Sequence, residues 1–191
     1  MKKIYLLIFI FFGITINVNA DTNRLVSGEI DAKITIIAYE SLTCSHCASF
    51  HKDIYPQLKK DFLDTGLAKI EFRHFPLDIA AFNAAKIAQC NYDQGLEILE
   101  SLYSNQQEWV RGSSIEDVND NLKNFIEKEG FKINFEKCIN NKNIEDFVLN
   151  DRVEGVKNFK VNATPTIIIN NKKFEKSLNY KNLKKILEKL I

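Results

Sequence analysis

The sequence predicts an α/β fold that carries a helical insertion. Three observations predict it. Two strand-like runs, 34–39 and 68–76, flank a helix-patterned segment at 47–63, the spacing of a parallel pair with a crossover helix. Residues 78–149 then show helix patterning alone. Strand patterning returns at Ile167, Ile168 and Ile169, between a helical stretch and a closing amphipathic stripe. The order is β-α-β, then helices, then α-β-β-α.

Taken in order, Met1, Lys2 and Lys3 form a basic start, residues 4–16 are apolar, and Val18-Asn19-Ala20 is a small-residue cleavage site. This predicts an export signal, residues 1–20, cleaved after Ala20; the alternative is an uncleaved anchor. Residues 21–33 are polar, with Gly28 and Asp31 as turn signals, and are left without a strand. Ile34, Ile36 and Ile37 mark the first strand, which is β-branched and apolar. Phe50, Ile54, Leu58 and Phe62 recur every four residues, a helix stripe, with Pro56 predicting a kink and Gly66 a stop. Residues 68–76 alternate apolar and polar until Pro76.

The insertion, 78–149, begins with an alanine-rich helix running into Cys90. Leu96, Leu99, Leu102 and Tyr103 mark a second helix. Ser114 to Asp117 is a capping pattern for a third, which Gly130 closes, and Asn134 caps a short turn carrying Phe135 and Cys138. A helix over 144–159 leads to Thr164-Pro165-Thr166. Asn170-Asn171 is a turn between the strand at 167–169 and its hairpin partner Lys172, Lys173 and Phe174. Leu183, Ile186, Leu187 and Leu190 stripe the last helix. The organisation predicted is a signal (1–20), one domain built from 21–77 and 150–191, and the insertion (78–149) between its halves.

The chain has 26 basic and 25 acidic residues. Removing Lys2 and Lys3 with the signal leaves 24 against 25, a net charge of −1. The lysines are dispersed, so no nucleic-acid partner is expected. Four cysteines survive export: Cys44, Cys47, Cys90 and Cys138. An oxidising compartment lets all of them pair, and four allow three connectivities. The tight spacing of Cys44 and Cys47 makes them one pair, which leaves Cys90 with Cys138.

Cys44-Ser45-His46-Cys47 stands where a strand meets a helix. Taken alone, two cysteines at this spacing suit a zinc knuckle, a structural disulfide or a redox centre. The helix start adds unpaired N–H groups and the positive dipole end, which favour thiolate over thiol at Cys44. His46, when protonated, stabilises a neighbouring thiolate. His51 stands four residues after Cys47, so Cys44, Cys47 and His51 are candidate metal ligands. A closed zinc site needs a fourth ligand, which is not evident, and no metal is expected. His74 and Trp109 read as packing or surface residues.

The element order, the Cys-x-x-Cys after the first long strand and Thr164-Pro165-Thr166 before the late hairpin together resemble a thioredoxin fold, a central mixed sheet flanked by helices. The helical insertion, and the run from Tyr39 through Thr43-Cys44-Ser45-His46-Cys47 to Ala48, resemble the DsbA branch of periplasmic thiol:disulfide oxidoreductases. The resemblance covers nearly all of the chain after residue 20. It implies that Cys44 is the accessible nucleophile and Cys47 the buried resolving cysteine, with no cofactor beyond the redox-active Cys44–Cys47 disulfide. It implies a cis-proline loop at Thr164 and Pro165, where the Thr164 backbone pairs with an extended substrate.

The activity implied is a periplasmic dithiol oxidase acting on unfolded or partly folded exported proteins. Its implied reoxidant is a DsbB-like membrane quinone reductase. Family isomerases carry an N-terminal dimerisation domain, whereas few residues here separate the signal from the first strand, so a monomer is expected. The alternatives are a reductase or isomerase of the same chemistry, and a non-enzymatic chaperone or metal-handling protein.

Two departures from the family pattern bear on tuning. Ser45 stands where many members have proline before the histidine. Ala38 stands where many carry a buried acid. Glu40, two residues later on the same strand face, is the candidate replacement; the alternative leaves it exposed at the strand end. The Cys90–Cys138 pair is expected to be a structural clip, the other reading being a second redox pair that tunes the first. Phe75 and Pro76 are expected along the substrate groove.

Overall fold

The computed structural model describes residues 23–191. The predicted signal, residues 1–20, lies outside the described residues. Five strands form one mixed sheet in the order β1-β3-β2-β4-β5. They are β1 (Leu25–Gly28), β2 (Ile34–Glu40), β3 (Ala68–His74), β4 (Thr166–Ile169) and β5 (Lys172–Lys173). Only β2 and β3 run parallel; the other neighbours are antiparallel.

The β2–β3 crossover is the helical segment 45–63, here α1. It is continuous through Pro56. Where the proline removes an N–H, the hydrogen-bond ladder widens, and the Tyr55 N–H reaches back to the Phe50 carbonyl. Then follow α2 (Ile79–Cys90), α3 (Tyr92–Ser104), α4 (Gln106–Trp109), α5 (Ile115–Lys128), α6 (Phe135–Ile139), α7 (Lys142–Phe159) and, after the hairpin, α8 (Tyr180–Leu187). Ser114 and Asp117 form a reciprocal capping box at α5. Asn170 and Asn171 take φ of 44° and 64°, as the two-residue hairpin turn requires.

Two sequence expectations are corrected. Residues 21–33 do contain a strand: β1 pairs antiparallel with β3. Four residues are too few to display a two-residue period, and Ser27 points inward where a polar side chain signals outward. The boundary between 149 and 150 falls inside the single helix α7, which begins in the insertion and ends on the main sheet. The insertion also has no core of its own. Leu102, Trp109, Leu122 and Phe125 join Ile36, Ala38, Ile70 and Phe72 of the sheet in one apolar cluster. On the opposite face, α7 and the strand ends close a smaller cluster around Ile37, Tyr39, Phe75 and Ile168.

Among the described residues, no helix is long and apolar enough to cross a membrane.

Candidate active site

β2 delivers the chain to the active-site loop, and α1 begins there. Cys44 is the N-cap residue, with extended backbone (φ −78°, ψ 119°), and its carbonyl accepts from the Cys47 and Ala48 N–H groups at 3.1 Å each. Cys44 is partly exposed, while Cys47, one turn into the helix, is 0% exposed; both are free thiols. Opposite them the Thr164–Pro165 peptide bond is cis, and the Cys44 thiol donates to the Thr164 carbonyl at 3.4 Å.

The two thiols are electrostatically unlike. Cys44 is lowered to about 5, first by the hydrogen bond from the Cys47 thiol. The Thr164 side chain and the N–H groups of Cys47 and His46 add to this, against an opposing effect of burial. Cys47 is pushed up, chiefly by burial, then by its hydrogen bond to Cys44 and by the negative charge of Glu40. At neutral pH the site therefore holds one thiolate and one thiol side by side.

Glu40 is buried, 4% exposed, so the exposed alternative does not hold. Its Oε2 lies 2.8 Å from His51 Nε2. His51, a candidate metal ligand beside the cysteines, is thus engaged by a carboxylate. Among the described residues, no group of three or more His, Cys, Asp and Glu side chains converges on a metal-sized site. Ser45 and His46 are exposed at the helix start. His46 lines a cleft of about 670 Å³ beside the dithiol, together with Phe50, Ile54, Thr164, Pro165 and Tyr180.

Phe75 and Pro76 do not line this cleft. Phe75 is 3% exposed on the other face of the sheet, edge-on to Tyr39 and beneath the Arg152 guanidinium; the buried Pro76 offers its carbonyl to Arg152. The chain beyond the strand that ends at His74 turns Phe75 into the second core, away from α1. His74 is buried against Gln89 and lowered to about 4 by burial, and Trp109 is buried with its indole N–H on the Leu102 carbonyl at 2.9 Å. The Cys90–Cys138 disulfide joins α2 to α6.

Sequence reasoning missed the braces of the active-site loop. Gln106 of α4 donates to the carbonyls of Leu42 (2.7 Å) and Cys44 (3.2 Å). Thr43 donates to Asp78 at 2.7 Å, and Asp78 also caps α2 through the Ala81 N–H. The Asp78 cap, just ahead of the alanine-rich helix, is a local signal that was available. Gln106 gave none, because its partners lie more than 60 residues away in sequence.

A low-pKa thiolate whose buried neighbour keeps its proton is suited to one kind of chemistry, the exchange of disulfides. The fold and site define a DsbA-like thiol–disulfide oxidoreductase. The family model described as Thioredoxin matches residues 20–189, and the chain belongs to that family. It is 28% identical to disulfide bond formation protein D of Bacillus subtilis, over 86% of this chain and 75% of that protein. A Rickettsia conorii protein with the provisional name protein-disulfide oxidoreductase is 24% identical over 83% of this chain. The chain spans 57% of that longer protein. Among solved structures, alpha-DsbA1 of Wolbachia pipientis superposes with a TM-score of 0.79 at 28% identity, covering 88% of this chain and 90% of the other.

Proposed function

We propose that this protein oxidises cysteine pairs in exported, unfolded or partly folded proteins to disulfides, with Cys44 as nucleophile and leaving group and Cys47 as its resolving partner. The observation that carries this reading is the partly exposed Cys44 at the start of α1 beside the sealed Cys47, with the Cys44 thiol lowered to about 5. A thiolate so stabilised leaves readily, and a stable reduced form makes the disulfide a strong oxidant.

In the forward reaction, a substrate thiolate attacks Cys44 of the Cys44–Cys47 disulfide. Cys47 leaves with the electron pair and takes a proton. A second substrate thiolate attacks the mixed disulfide, its own disulfide forms, and Cys44 departs as thiolate. Two electrons have then passed from substrate to protein. The cleft beside His46 receives the substrate, with the Thr164 backbone as its strand partner. Ser45 and His46 tune the Cys44 thiolate. Glu40, buried against the same helix, exchanges the proton of Cys47. Cys90–Cys138 acts as a structural clip.

A DsbB-like membrane quinone reductase suits the reoxidation step. The basic, apolar N-terminal run supports export to the periplasm with cleavage after Ala20, and the protein acts as a monomer. The test is refolding of a reduced, unfolded disulfide protein by catalytic amounts of this one with a thiol oxidant. Turnover is expected, and Cys44→Ser should abolish it. Undiminished activity in Cys44→Ser would indicate a chaperone, and activity only on scrambled disulfides an isomerase.

A further inference from the structure

Besides the Thr164 hydroxyl, three buried polar atoms near the dithiol have no hydrogen-bond partner among the described residues: Glu40 Oε1, His51 Nδ1 and the Tyr103 hydroxyl. They belong to one cluster. His51 Nε2 meets Glu40 Oε2 at 2.8 Å, and the His51 ring stacks on Tyr103 with centroids 4.1 Å apart and planes 18° apart. Leaving such a group unpartnered costs about 1–3 kcal/mol, so three together require a reason. Packing alone does not supply one. Phe72 of β3 and Tyr55 of α1 enclose the same ring, and an apolar ring would fill that space without a polar atom to satisfy.

The cluster lies between a sealed thiol and an opening. Cys47, 0% exposed, has its thiol pushed up by burial and, further down the order, by the charge of Glu40. Glu40 lines neither cavity beside α1. His51 and Tyr103 do line one, a second cavity of about 550 Å³ between α1 and the α3–α4 corner, with Ser45, Lys52 and Gln106. That cavity shares only Ser49 with the cleft beside His46. The titratable groups facing His51 are Glu40 from β2, Tyr55 from its own helix and Tyr103 from α3, with Cys47 one turn earlier on α1.

We infer that His51 passes protons between Glu40 and solvent through this second cavity, so that Cys47 gains and loses its proton while substrate covers the Cys44 side. The inference rests on the reading of Glu40 as the proton partner of Cys47. When Cys47 resolves a mixed disulfide, its sulfur bonds to Cys44 Sγ and the bound thiol leaves as thiolate with the electron pair. The Cys47 proton goes to the Glu40 carboxylate. His51 in its Nδ1–H form takes that proton on Nε2 from the carboxyl, and the imidazolium then releases the Nδ1 proton into the cavity, leaving Nε2–H to donate to the Glu40 carboxylate. The relay itself moves protons only. His51 is a positioning and relay residue and touches no reacting sulfur.

The experiment is the release of a chromogenic thiol from its mixed disulfide with Cys44, followed by stopped flow from mildly acid to mildly alkaline pH. In His51→Ala the release should slow at least tenfold, since general acid–base help contributes roughly 10²–10⁴-fold. Added imidazole should restore it. Pyrazole, of equal size but too weak a base to titrate near neutrality, should not. His51→Phe, which keeps an aromatic ring in the stack, should be equally slow and should resist rescue by imidazole; it decides the matter if His51→Ala does not fold. Full rates in the His51 variants with a slow Glu40→Gln would overturn the relay and leave the Glu40 reading standing. Rescue by pyrazole as well as imidazole would assign His51 to packing and overturn it too. A full rate in Glu40→Gln would remove the underlying reading itself.

Discussion

Cys44 is made acidic by four donors converging on its sulfur, and one of them is a side chain that the sequence did not single out for this task. Thr164 was expected to contribute its backbone. Its hydroxyl is buried without a partner among the described residues while Cys44 is a thiol, and it supports the thiolate form. Removing a donor to the charged form raises a pKa, so Thr164→Val should move the Cys44 midpoint upward from about 5. One hydrogen bond of about 1 kcal/mol corresponds to roughly half a unit to one unit. The pH dependence of Cys44 alkylation measures this. A midpoint that stays put or falls would show that the hydroxyl plays no part. At this scale the sequence was informative about the dithiol, because Cys-x-x-Cys spacing is local. It was equivocal about Glu40, because strand periodicity tells which face a residue takes and not whether that face ends in water. It was silent about Gln106, a single polar residue whose two carbonyl acceptors are assembled only by the fold.

Elements with a long repeat were legible: α1 and α8 by their stripes, β3 by alternation, and the late hairpin by its Asn170-Asn171 turn. β1, four residues long, and α4, a single turn at Gln106–Trp109, were not, since neither is long enough to show a period. α7 illustrates how element and site connect. Its Gly155 lies against Tyr39 of β2, where an added Cβ would meet the ring at 2.8–3.3 Å. Tyr39 is 0% exposed and sits in the strand that leads to Glu40 and the active-site loop. In an exposed helix, Gly→Ala stabilises by about 1 kcal/mol. Here Phe75, edge-on, and Phe159, tilted, pack against the ring, which cannot yield freely. Gly155→Ala should instead lose about 1–3 kcal/mol in urea denaturation, the usual cost of overpacking. A gain in stability would mean that α7 does not press on β2 as described.

Across the whole molecule, the insertion completes the active site as well as covering the core. α4 braces the Cys44 loop, α3 supplies Tyr103 to the Glu40 cluster, and Asp78 ties Thr43 to the start of α2. The Cys90–Cys138 bond closes a 48-residue span across this region, which the chain-entropy model values at about 4 kcal/mol. One architecture thus contains a dithiol poised to be reduced and, on this account, a disulfide kept as a clip. The sequence foretold the layers and misjudged the seam at 149–150, because the change of composition there does not coincide with a helix end. The central claim is that the acidic Cys44 makes the Cys44–Cys47 disulfide strongly oxidising. Equilibration against a graded glutathione series, read by mass spectrometry after thiol trapping, tests it most directly. The account predicts a potential well above the about −270 mV of reducing thioredoxins, with Cys44–Cys47 opening in mild conditions while Cys90–Cys138 stays closed. A thioredoxin-like value for Cys44–Cys47 would contradict it.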